Sequence, residues 1–162
     1  MIQIRRAATI DVQGISEVCR EANWATYGEI YSEEYLEKVI REYYSCERIL
    51  DEVTTSDRSW GGYFVAIQND IVVGAGGGGM ISDISGEIYA LYLNPKRRNE
   101  GIGTLLLHEI TKQQKEFNAK EQWISVQKGN LKGIPFYEAK GFKLQYEEKE
   151  EGYISLRYKR LI

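Results

Sequence analysis

Apolar residues recur at Ile102, Leu105, Leu106, Ile110 and Phe117, the spacing of a helix that buries one stripe. Just before it, residues 87 to 93 alternate aliphatic and aromatic side chains, and Asn94-Pro95 stops them because proline has no N–H for a ladder. The centre of the chain therefore reads as strand, loop, helix. Upstream, Ile2 to Arg6 alternates as a short strand, and Asp11 is placed to cap a helix carrying Ile15, Val18, Cys19 and Ala22. A second helix is predicted after Ser32, with Glu33 and Glu34 at its positive dipole end and Leu36, Val39, Ile40 and Tyr43 as its stripe. Residues 46 to 59 read as a further short helix and a polar loop.

Tyr63 to Gln68 and Ile71 to Gly74 form a hairpin about Asn69-Asp70. After the central helix, Gln122 to Val126 is the fifth strand. Pro135 limits the next helix to a short piece centred on Phe136 to Lys140, with Gly141 as its left-handed stop. Phe142 to Glu147 and Tyr153 to Tyr158 alternate as a terminal hairpin, split by an acidic run from Glu147 to Gly152 that reads as a solvated turn. This order predicts an α/β sandwich on a mixed sheet. Its 162 residues suit a single domain, 1–162, with a sizeable core.

Composition narrows the class. With 43% hydrophobic and 28% charged residues the chain is neither disordered nor fibrous, and no run nears the roughly 20 apolar residues of a membrane helix. The N-terminus lacks a secretory pattern, so a cytoplasmic location is expected. A net charge of −3 gives no general attraction to nucleic acid, and Lys96-Arg97-Arg98 is a local basic cluster. Cys19 and Cys46 sit in helical patterns without CxxC spacing and are expected to be reduced, packed thiols. His108, the one histidine, lies off the apolar stripe with no metal-spaced neighbours, so no metal is expected.

Two glycine clusters compete for attention. Gly74 to Gly79 fits the Gly-x-Gly-x-x-Gly spacing of dinucleotide folds, but Met80 to Gly86 has no helical stripe, so the run reads as extended strand whose missing side chains admit a close neighbour. Arg98-Asn99-Glu100-Gly101-Ile102-Gly103 does open a helix. Its backbone amides and helix dipole favour an anion, while the absent Gly-Lys-Ser/Thr excludes a P-loop.

Arg98-x-x-Gly101-x-Gly103 after a strand ending in Asn-Pro resembles the acetyl-coenzyme A signature of the GCN5-related N-acetyltransferases (GNAT). A second block, Asn130 followed by Phe-Tyr-Glu-Ala-Lys-Gly-Phe at 136 to 142, resembles that family's downstream segment. The resemblance implies a GNAT-like mixed, mostly antiparallel central sheet flanked by helices. It also implies an acetyl-CoA-dependent N-acetyltransferase with acetyl-CoA as co-substrate. By that likeness Arg98, Asn99, Glu100, Gly101, Ile102, Gly103 and Thr104 cradle the pyrophosphate, Leu91, Tyr92 and Leu93 hold the pantetheine through their backbone, and Asn130 contacts the coenzyme.

The same resemblance gives Glu87 as general base and Tyr137 as general acid, for direct attack in a ternary complex rather than through an acyl-enzyme. The aromatic connection between the first two helices, with Trp24, Tyr27 and Tyr31, is the candidate acceptor wall. Glu29, Glu33 and Glu34 favour a cationic amine wherever they face the cleft. The acceptor is an amine of a small molecule, peptide or protein, with no nucleic-acid or membrane partner. The sequence leaves open a homodimer, and also the alternative of a coenzyme A-binding sensor or accessory module without turnover.

Overall fold

Every residue of the strand Tyr63–Gln68 except its last is buried, so it must be covered on both faces. Phe64 and Ala66 enter one hydrophobic cluster, and Tyr63, Val65 and Ile67 enter another on the opposite face. The computed structural model describes all 162 residues. Its elements are β1 (Gln3–Arg6), α1 (Val12–Tyr27), α2 (Glu33–Tyr43), α3 (Cys46–Thr54), β2 (Tyr63–Gln68), β3 (Ile71–Met80), β4 (Ser85–Leu93), α4 (Ile102–Glu116), β5 (Glu121–Gln127), α5 (Gly133–Ala139), β6 (Lys143–Glu150) and β7 (Tyr153–Leu161). They build a seven-stranded sheet of order β1-β2-β3-β4-β5-β7-β6. Every pairing is antiparallel except β4 with β5, which the α4 crossover makes parallel. This is the mixed, mostly antiparallel sheet flanked by helices that the sequence led us to expect. No helix is long and apolar enough to cross a membrane.

The parallel seam is short. β4 and β5 pair only from Ser85 with Glu121 to Ile88 with Ile124, and beyond that point the strands part. Tyr89 is an extra residue in β4, because Gly77 faces Ala90 while Gly78 faces Ile88. From the bulge to Leu93, β4 is hydrogen-bonded to β3 on one side alone. The other row of amides and carbonyls faces the gap.

Several sequence expectations are corrected by packing. Leu105 is 42% exposed, while Leu107 and Gln114 are buried in its place. At about 100° per residue, the buried set that includes Leu107 and Gln114 centres on Ile110, and Leu105 lies roughly 140° from that centre. Tyr43 is likewise exposed and Tyr44 buried. Asp11 does not cap α1: it ends a short 3-10 turn, and its carboxylate accepts from the Ala8 N–H (2.8 Å) and from Arg5 (2.7 and 3.0 Å). Cys19 is buried but Cys46 is exposed. Glu147 to Glu150 belong to β6, and the turn is Glu151-Gly152, both at positive φ. Pro135 sits inside α5 at its third residue, in the first turn where N–H groups have no helical acceptor.

The remaining readings agree with the structure. Asn69 and Asp70 both adopt positive φ, as a tight hairpin turn requires. Ser32 caps α2 through its hydroxyl, which accepts from the Tyr35 N–H. Gly141 stops the chain after α5 at φ 94°. The glycine run is extended strand within β3.

Candidate active site

The gap between β4 and β5 opens into a cleft of about 810 Å3. Leu91, Tyr92 and Leu93 form its β4 wall, Ile124 to Val126 its β5 wall, and α5 closes one side. At one end the loop before α4 supplies Arg98, Asn99 and Gly101, and the first turn of α4 supplies Ile102, Gly103 and Thr104. Gly101 holds φ 81° as the residue preceding α4, and no side chain caps this helix. The first amides of α4 consequently project towards the cleft with the positive end of the helix dipole behind them. Arg97 and Arg98 stand beside them, so this end of the cleft suits a diphosphate.

Gly101 and Gly103 answer to different constraints. A Cβ on Gly101 would meet nothing within 4 Å, so its positive φ alone calls for glycine. A Cβ on Gly103 would rest at 3.4 Å from Phe136, an ordinary contact.

At the opposite side Tyr137 lines the cleft with 8% of its surface exposed. Burial pushes its phenol up, and neighbouring Tyr27 adds to that shift. Tyr137 is therefore a protonated donor at neutral pH. Asn130 also lines the cleft, and its side-chain oxygen accepts from the Gly133 N–H at 2.8 Å. The capping and cleft-facing positions thus coexist. Beneath the cleft the Tyr44 hydroxyl donates to that of Tyr92 at 2.9 Å.

Glu87 is not on the cleft wall. Its two carboxylate oxygens accept from Arg157 at 2.9 and 3.0 Å, and both side chains are largely buried. Arg157 also donates to Ser125 at 2.7 Å, and Ser125 does face the cleft. Glu100 turns away to Arg97, which donates to both of its oxygens. Of the acceptor-wall candidates, Tyr27 lines the cleft. Trp24 borders a shallower depression with Arg20 and Lys96, and Tyr31 stacks on Tyr27 with ring centroids 5.0 Å apart. Glu29, Glu33 and Glu34 are exposed and none lines the cleft.

Three features escaped the sequence reading. Arg157 lies in a strand whose partner strands are set only by tertiary pairing. Ser125 is indistinguishable from any outward residue of β5. Tyr31 and Tyr153 meet with centroids 4.6 Å apart and fasten the α1–α2 connection to β7, where the Ser32 N–H donates to the Tyr153 hydroxyl. Alternation along β7 gave the only prior signal, placing Tyr153 and Arg157 on one face.

A family model described as the acetyltransferase (GNAT) family matches residues 17–142. A spermidine N(1)-acetyltransferase of Thermoplasma acidophilum is 33% identical over 158 residues, which cover 97% of this chain and 98% of that one. The crystal structure of the PaiA N-acetyltransferase from Thermoplasma acidophilum, in complex with coenzyme A, superposes with a TM-score of 0.85 at 31% identity, covering 99% of each chain. Ard1 from Thermoplasma volcanium shares the fold at a TM-score of 0.75 and 19% identity, over 99% of this chain and 97% of that one.

Proposed function

The chain belongs to the acetyltransferase (GNAT) family, and on that premise we propose that it moves the acetyl group of acetyl-CoA onto a primary amine of a polyamine, spermidine foremost. The observation that carries this reading is the one-sided strand: β4 from Tyr89 to Leu93 presents unpaired backbone to a cleft that has an anion-binding turn at one end and Tyr137 at its side. An extended pantetheine arm fits such an edge as a further strand would. The polyamine acceptor is supported by a near full-length relative named for spermidine.

The transfer proceeds by direct attack. The amides at the start of α4 and the Arg98 side chain hold the diphosphate, and the β4 backbone aligns the arm so that an amide near the bulge polarises the thioester carbonyl. The ammonium of the acceptor loses a proton through water at Ser125 to Glu87, whose oxygens keep lone pairs beyond those used by Arg157. The free amine attacks the carbonyl carbon, the C–S bond breaks, and the Tyr137 hydroxyl protonates the departing thiolate. The second proton on the nitrogen, released as the tetrahedral intermediate collapses to the amide, restores the Tyr137 phenol, and Glu87 gives its proton up to solvent.

The test is release of free thiol from acetyl-CoA with spermidine, spermine, putrescine, free amino acids and an N-terminal peptide, each as sole acceptor. The expected result is the largest kcat/KM with spermidine. A preference for the peptide would overturn the polyamine reading while leaving acetyl transfer intact.

A further inference from the structure

The Glu87 carbonyl is turned out of the β3–β4 ladder towards α4, at the bulge. A Cβ built on Gly78 would lie 2.1 Å from that oxygen, which places it over the face of β3 instead of in the hydrogen-bonding plane. Gln114, fully buried on α4, donates to it through Nε2 at 2.9 Å. A second buried amide stands behind the first: Gln122 Nε2 donates to Gln114 Oε1 at 3.0 Å. Behind that, Arg160 Nε donates to Gln122 Oε1 at 2.9 Å.

The direction of this relay is fixed by its last member. A guanidinium can only donate, so Gln122 must turn its oxygen to Arg160 and its NH2 to Gln114. Gln114 must then accept with Oε1, which leaves its own NH2 for Glu87. Gly86 and Gly78 make room: a Cβ on Gly86 would come within 2.2 Å of Gln114 Oε1, and one on Gly78 within 2.8 Å of Gln114 Nε2. One glycine of the run in β3 is thereby explained.

We propose that Gln114 is a positioning residue for acetyl transfer, holding the Glu87 carbonyl so that the bulge aims the adjoining β4 amides into the cleft. The inference rests on the reading of β4 as the strand along which the thioester is laid. It assigns catalytic weight to a side chain on the far face of the sheet from Arg157. The Glu87 residue is held from both faces, its carbonyl by Gln114 and its carboxylate by Arg157.

Gln114→Met keeps the volume and removes the donor. The control is its neighbour: Gln113 also donates to a backbone carbonyl at 2.9 Å, that of Gly61, a residue whose own N–H bonds to Gly78 of β3 and which makes no bond to β4. In Gln114→Met, kcat is expected to fall about ten- to hundredfold with the coenzyme Kd unchanged to within about twofold. The Tyr89 to Leu91 amide resonances should move as well. Gln113→Met should retain wild-type kcat and those resonances. Should Gln114→Met fail to fold, Gln114→Leu removes the donor with a smaller apolar side chain, and the same kcat loss is expected.

Equal behaviour of the two methionine variants, with kcat per folded molecule unchanged, would overturn the proposal. If the wild type releases no thiol with any amine, the functional reading fails by itself, and the Tyr89 to Leu91 resonances still decide this one: unmoved signals overturn it, displaced signals sustain the geometry.

Discussion

At the scale of single residues, two glycines that look alike in sequence ask for different things. Gly101 needs the left-handed conformation, so Gly101→Ala is expected to cost about 1–2 kcal/mol of stability and to weaken coenzyme binding by disturbing the amides that follow. Gly103→Ala is expected to leave stability within error, since its methyl would find ordinary contact distance within the protein. Denaturant unfolding and coenzyme titration check the pair. Tyr137 carries a second prediction. Burial raises its phenol above the usual 10.0, so the acid form persists and kcat should show no alkaline loss from this group below about pH 10. Tyr137→Phe should lower kcat about a hundredfold with coenzyme affinity retained, and an unchanged kcat would remove the residue from the mechanism. The glycine turn before α4 and the place of Tyr137 on the cleft were legible because each is fixed by local chain order. Arg157 and Gln114 were not, because their meaning depends on which strand lies beside them.

Elements show the same division. The core helix, the hairpin and the glycine-rich strand follow from periodicity and breakers, whereas their ends and exposed faces follow from neighbours. Leu105 was misplaced because it and Leu107 flank the apolar stripe equally, and only packing, with polar Gln114 on the buried side, decides between them; the acidic run was misread because β6 is an edge strand exposed along all its residues. Charges suit such an edge, and they say nothing about where it turns. The start of α1 offers a test. Burial raises the Asp11 carboxyl, but hydrogen bonds from Arg5 and the Ala8 N–H and the Arg5 charge outweigh it, and the net displacement is downward from 3.8. A carboxyl lowered by folding stabilises fully above its unfolded value, and that contribution is lost as pH falls through its folded value. Asp11→Ala should therefore cost about 1–3 kcal/mol near neutrality, with the difference from wild type shrinking in acid. Urea midpoints at pH 7 and below pH 3.8 would measure it; a difference independent of pH would refute the linkage.

The whole molecule is two sheet portions joined by a seam only four residue pairs long. α4 bridges them from one side and begins where they part, so the helix that connects the strands also lines the cleft with its first turn. Coenzyme A bound in the gap should slow amide exchange most at Tyr89 to Leu93, with an overall gain of about 2.7 kcal/mol at a hundredfold excess over Kd. Uniform slowing across the sheet would contradict the seam as the binding line.

The unpaired side of β4 is also a strand margin hidden inside a domain, and such margins recruit stray peptide. Without the coenzyme's pantetheine arm along this margin the protein should accrete with copies of itself, so turbidity on warming would rise first in preparations stripped of coenzyme and be suppressed by adding it back.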